Sequence, residues 1–142
     1  MASNDRLTVG LAQIAPVFLN KSKTLEKVID YIERAAAVRK CDLVVFGEVL
    51  VPGYPIWTER VPNASEFDNG LQKVLQARYL KEGVDIHGGD LDEVKACAKR
   101  HNIAVILGCA ERGNGRLQFR VPGRAYYRTV SCLFQPSWLT AK

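Results

Sequence analysis

Residues 43–57 read LVVFGEVLVPGYPIW, and this stretch decides the fold. Four apolar residues, Leu43 to Phe46, and Gly47 run without alternation into one carboxylate, Glu48. An apolar run with no polar face fits a strand covered on both sides, as in a parallel sheet. Behind Glu48 come Pro52, Gly53, Tyr54, Pro55 and Trp57, which make a stiff aromatic loop. In open parallel sheets, chemistry collects beyond the carboxyl ends of the strands. Half-burial at such a place disfavours the charged form of a carboxylate and suits it to general-base work. Glu48 is therefore the candidate catalytic base, and Tyr54 and Trp57 are candidate walls of a substrate pocket. The plainer alternatives are an acid that caps a helix or pairs with an arginine, and aromatics that simply pack the loop.

The flanking segments supply the rest of an α/β layer. RLTVGLAQIAP, from Arg6, reads as a strand with apolar residues at Leu7, Val9, Leu11 and Ile14, ended by Pro16. Residues 22–40 read as a helix: Leu25, Val28, Ile29, Ile32 and Ala36 fall at helical spacing, with Ser22 as N-cap. Residues 68–83 read as a second helix with Leu71, Val74, Leu75 and Leu80 inward. A third follows, with Asp90 as its cap, Glu93 completing a capping box, and Asn102 at its end. IAVILG, residues 103–108, reads as another buried strand. The order β-α-β-loop-α-α-β predicts an α/β sandwich layer.

Composition sets the class. The chain has 142 residues, 47% hydrophobic and 25% charged, which is ordinary for a globular protein. No apolar run approaches the ~20 residues of a membrane span. The first ten residues carry no basic-then-apolar leader, so the expected compartment is the cytoplasm. Cysteines at 41, 97, 109 and 132 show no metal-ligand or redox spacing, and the first three are expected to be buried free thiols. All 15 acidic residues lie at or before Glu111, so the net charge of +5 belongs to the segment 112–142. That segment has no recognisable nucleic-acid motif, and Pro122-Gly123 interrupts any helix on which its arginines would align. The HGGD stretch, residues 87–90, lacks phosphate-loop spacing and reads as a helix-entry turn. His87 and His101 read as surface or capping residues rather than metal ligands.

Three blocks in order resemble the start of the carbon–nitrogen hydrolase (nitrilase) superfamily. They are VGLAQIAPVFLNKSKTLEKV, LVVFGEVLVPGYPIW and GDLDEVKACAKRHNIAVILGCAER, and PGYPIW resembles the bacterial nitrilase branch. The resemblance covers about residues 6–116. It implies the N-terminal half of a four-layer α-β-β-α sandwich, and a nitrile substrate hydrolysed to a carboxylic acid and ammonia by a Glu-Lys-Cys triad. It also implies no cofactor, and homo-oligomers in the intact family; the residues themselves point to no metal and to no nucleic-acid or membrane partner. Glu48 matches the family glutamate.

The family's lysine lies in a His-Arg-Lys stretch and its cysteine in a Cys-Trp-Glu stretch. Neither stretch occurs here. Cys109 and Cys132 lie in other contexts, and Lys142 is the terminal residue. Beyond Arg116 the pattern decays, although a weak strand fits TVSCLF, residues 129–134. Residues 117–142 are therefore expected to be an atypical, irregular basic tail produced by a frameshift or truncation. The chain alone is expected to be inactive and poorly covered, with Val44, Val45 and Ile106 losing their partners. The alternative is a non-catalytic half-domain that associates with full-length homologues. A basic-tailed nucleic-acid binder is a third reading.

Overall fold

A computed structural model of the chain describes residues 6–58 and 70–112, together with the backbone of 128–134. The elements in order are β1 (Val9–Ala12), α1 (Lys21–Ala37), β2 (Leu43–Phe46), a 3-10 turn (Ile56–Thr58), α2 (Gly70–Lys81), α3 (Asp92–His101), β3 (Ala104–Glu111) and β4 (Arg128–Phe134). They form one sheet in the order β1-β2-β3-β4. The first three strands are parallel, and β4 runs antiparallel to β3 with Ile106 opposite Leu133. This is the α/β half-sandwich expected of the sequence. The strand drawn through TVSCLF is β4, starting one residue earlier at Arg128. No helix among the described residues is long and apolar enough to cross a membrane.

Strand alternation gives the sheet two unlike faces. On one face Val44, Phe46, Val105, Leu107 and Cys109 pack with Val28, Ile32 and Ala35 of α1 and Val94, Cys97 and Ala98 of α3. Each fully buried Val or Ile here contributes roughly 1.5–3 kcal/mol. The other face carries Val9, Leu11, Val45 and Ile106, by the register of β1, β2 and β3. Leu11 is 80% exposed, and Val45 and Ile106 are only partly buried. Val44 was expected to lose its cover but is buried, because it faces the helices rather than the open side.

Local details correct the sequence reading. Asn20, not Ser22, caps α1: its side-chain oxygen accepts from the Lys23 N–H at 3.0 Å. Asn20 precedes the first helical residue, where a cap must stand. Asp90 caps nothing. The helix starts at Asp92 with no side-chain cap, while Asp90 accepts from the Asp85 N–H at 2.7 Å and pairs with Lys21. In α2, Leu71 and Val74 point outward, Leu75 is half-buried, and Tyr79 is the buried residue. Tyr79 carries the larger apolar surface, so burying it decides which way the helix turns. Asn102 ends α3 in the left-handed conformation, as expected. Cys97 and Cys109 are buried free thiols, whereas Cys41, near the sheet edge, is half-buried.

The HGGD turn folds around a carboxylate of its own. Asp85 accepts from the Gly88 N–H at 2.7 Å and from the Arg112 guanidinium at 3.2 Å. The Gly88 bond, then Arg112, hold its carboxyl below the ordinary value of 3.8. A carboxyl with a depressed folded pKa stabilises fully above its unfolded value and loses that contribution as acid titrates the folded form. Asp85→Asn is expected to be less stable than the parent at neutral pH. The gap in urea midpoint should narrow as pH falls below about 4; a gap independent of pH between 7 and 2 would contradict this account.

Candidate functional site

The site is built by an interruption in the β2 side of the sheet. β2 stops pairing after Phe46, and the chain rejoins the ladder at Val51, which bridges Cys109. The Val51 N–H donates to the Gly108 carbonyl, and the Ala110 N–H donates back to Val51 at 2.8 Å. Further along the same edge Val84 takes over, with its N–H donating to Ala110 and its carbonyl accepting from Arg112, each at 2.8 Å. Residues 47–50 therefore bulge out of a ladder that continues on both sides of them.

Gly108 makes room for the bulge. A Cβ on Gly108 would lie 2.5 Å from the Gly47 carbonyl oxygen, 2.8 Å from the Val49 nitrogen and 2.9 Å from the Glu48 Cα. Gly108 shares its parity with Ile106, so the bulge crosses the face opposite α1 and α3. Within the turn, Val49 has a φ of 47°. A β-branched residue in the left-handed region is strained. Its side chain is nevertheless buried with Leu19, Tyr79 and Ala110, and that packing holds the conformation.

Glu48 itself is exposed. The half-burial expected of it is absent, because the open face of the sheet offers nothing to cover it among the described residues. Among those residues it caps no helix and pairs with no arginine.

The aromatic loop is anchored against the residues before α1. The Leu19 N–H donates to the Pro52 carbonyl at 3.0 Å. Gly53, at φ 112°, lies so close to the Phe18 ring that a Cβ would approach it to 2.7 Å. Trp57 sits edge-on between Phe18 and Tyr79, with ring centroids 6.1 and 5.4 Å away. It therefore packs the loop onto α2. Tyr54 is about half exposed at the loop's outer side.

Cys109 is buried in the core under the helices, on the other side of the sheet. A hollow of about 350 Å3 lies between β1 and α1 and is lined by Gly10, Gln13, Tyr31, Arg34, Arg39 and Cys41. Glu48, Tyr54 and Trp57 are not part of it.

Comparisons with known proteins place this α/β layer among the carbon–nitrogen hydrolases. The carbon–nitrogen hydrolase family model matches residues 8–140, and the chain belongs to that family. It is 33% identical over 117 residues to nitrilase 2 from an unknown prokaryotic organism, covering 82% of this chain and 35% of that protein. It is 35% identical over 111 residues to the aliphatic nitrilase of Rhodococcus rhodochrous, covering 77% of this chain and 28% of that protein. A cyanide hydratase of Armillaria gallica is 31% identical, with 82% and 31% covered. The chain thus spans about a third of the length of the curated relatives it matches. A solved NitN amidase from Neterenkonia sp. AN1 aligns with a TM-score of 0.46 at 16% identity, over 76% of this chain and 34% of that one.

Two features of the site escaped the sequence reading. The left-handed Val49 leaves no mark in a sequence. Gly108 does: a lone glycine inside an apolar strand signals a close backbone approach. Gly108→Ala is expected to displace the 47–49 turn and to cost about 1–3 kcal/mol, as overpacking does. Urea unfolding checks it, and a variant as stable as the parent would contradict the contact.

Proposed function

We propose that this chain contributes the general base of a nitrilase-type hydrolase, with Glu48 as that base. In the reaction that the family resemblance implies, Glu48 takes the proton of a cysteine thiol. The thiolate attacks the nitrile carbon and forms a thioimidate. A lysine stabilises the charge that develops on nitrogen, and Glu48 then activates water. The products are a carboxylic acid and ammonia, without a cofactor. Cysteine and lysine come from sequence outside the three matched blocks, so the 142-residue chain by itself is inactive. Tyr54 and Trp57 flank the substrate side of the loop, Trp57 by fixing its shape. The intact enzyme is a homo-oligomer.

The observation that carries this reading is the strained turn at 47–50, which delivers an acid with no helix to cap and no arginine partner among the described residues to the edge of the open face. Strain held in place by surrounding packing clusters at functional sites. A chimaera tests it, with residues 8–112 replacing the matching part of the Rhodococcus rhodochrous aliphatic nitrilase. The chimaera is expected to release ammonia from nitriles, and Glu48→Gln to lower kcat by about 100-fold or more. A soluble, active chimaera that tolerates Glu48→Gln would overturn the assignment.

A second reading has its own support. Leu7, Val9 and Leu11 are 52%, 45% and 80% exposed on or beside edge strand β1. Such a surface marks an interaction site. On this reading the chain is a half-domain that binds full-length homologues. It is expected to co-purify with the same Rhodococcus enzyme and to lose it on Leu11→Lys; retention unaffected by Leu11→Lys would argue against that face.

A further inference from the structure

Away from Glu48, side chains of two helices converge with metal-ligand chemistry. Cys97 and His101 stand four residues apart on α3 and share a face. Packing of α3 on α1 brings Glu33 beside them. A carboxylate oxygen of Glu33, Sγ of Cys97 and a ring nitrogen of His101 all lie within 4.8 Å of one another. His101 Nε2 is 4.0 Å from Glu33 Oε1. Cys97 is 1% exposed, while the Glu33 and His101 side chains are 47% and 27% exposed. The cluster therefore has a dry floor and a wet rim, which leaves an entry path from solvent.

A plain packing role accounts for only part of this. Arg100 touches two of the three groups, pairing with Glu33 at 3.0 Å and hydrogen-bonding Cys97, but it does not account for His101, whose ring nitrogen faces the same carboxylate. Burial pushes the Cys97 thiol up, with Arg100 opposing and Glu33 adding to the shift.

We propose that Glu33, Cys97 and His101 form a zinc site that clips α1 to α3, with the fourth position open to water. Thiolate, imidazole and carboxylate together suit a borderline-soft, tetrahedral cation, and Zn2+ is the common match. Ligands about 2.0–2.3 Å from zinc stand roughly 3.5 Å apart. The three atoms must therefore close by about 1 Å, a shift that rotation of the Glu33 and His101 side chains on the rim can make. Binding releases the Cys97 proton to solvent and displaces Arg100 from the carboxylate. Arg100 thus competes with the metal for Glu33.

Cobalt reports on the site directly. The chelator-treated 142-residue chain, titrated with Co2+, is expected to bind one equivalent and to show a thiolate-to-cobalt charge-transfer band in the near ultraviolet. Zn2+ should bleach that band. Cys97→Ser should abolish it, and Arg100→Ala should tighten binding. Cys97 is a core residue, so Glu33→Gln and His101→Ala, both on the rim, provide the second arm. Each is expected to weaken Co2+ binding about tenfold or more, losing a ligand costing at least as much as losing a ligand's support. No charge-transfer band at millimolar Co2+ would overturn the site. So would a band that survives Cys97→Ser, or affinity unmoved by both rim substitutions.

Discussion

The close approach of Gly108 to the backbone of residues 47–49 is the constraint on which the site depends. A side chain at position 108 would meet a carbonyl oxygen at 2.5 Å. With hydrogen there instead, the chain leaves the ladder after Phe46, turns across β3 and returns at Val51 without losing the sheet's hydrogen bonds. The β2 edge of β3 stays paired through Val51 and then Val84. The bulge therefore leaves no row of buried, unpaired backbone groups, which would each cost about 1–3 kcal/mol. Val49 and Leu50 turn into two different apolar clusters, and Glu48 between them has only the outside left.

The fold was legible wherever one burial pattern dominated. The unbroken run at 43–46 and the helical stripe of α1 each had one low-energy placement, and both elements formed where periodicity put them. The ends of helices were less legible, because a cap depends on backbone geometry that composition does not contain. Asn20 and Ser22 are both good caps, and only the path from Pro16 chooses between them. Asp90 looked like a cap in sequence, but Lys21, 69 residues away in the chain, and the Asp85 N–H compete for it and win. In α2, apolar spacing pointed to Leu71 and Val74. The edge-on contact of Trp57 with Tyr79 prevailed over it, since an aromatic pair buries more apolar surface than one aliphatic side chain.

The site was half legible. Position after a core strand singles out Glu48, and resemblance gives it a role. Its environment was not legible, because exposure depends on which face of the sheet is covered. Trp57 shows the same limit: its place in the loop is written in the sequence, yet whether it faces a substrate or a neighbouring ring depends on Phe18 and Tyr79 from distant segments. His101 is the converse case. Its four-residue spacing from Cys97 is visible in the chain, but Glu33 joins them only once α1 and α3 pack.

Exposure of Glu48 and exposure of the sheet face have a single cause. Val9, Leu11, Val45 and Ile106 lie on the side to which the 47–50 bulge projects. Any layer that buries those four side chains must also lie against the bulge. The hydrophobic gain of covering the face is roughly 25 cal/mol for each Å2 removed from water. That gain is then available to offset the cost of taking a carboxylate out of water. Desolvation is one of the effects that make a carboxylate a stronger base. If Glu48 is the base proposed for it, completing the sandwich and activating the acid are one physical event, because the same turn presents the acid and borders the open face.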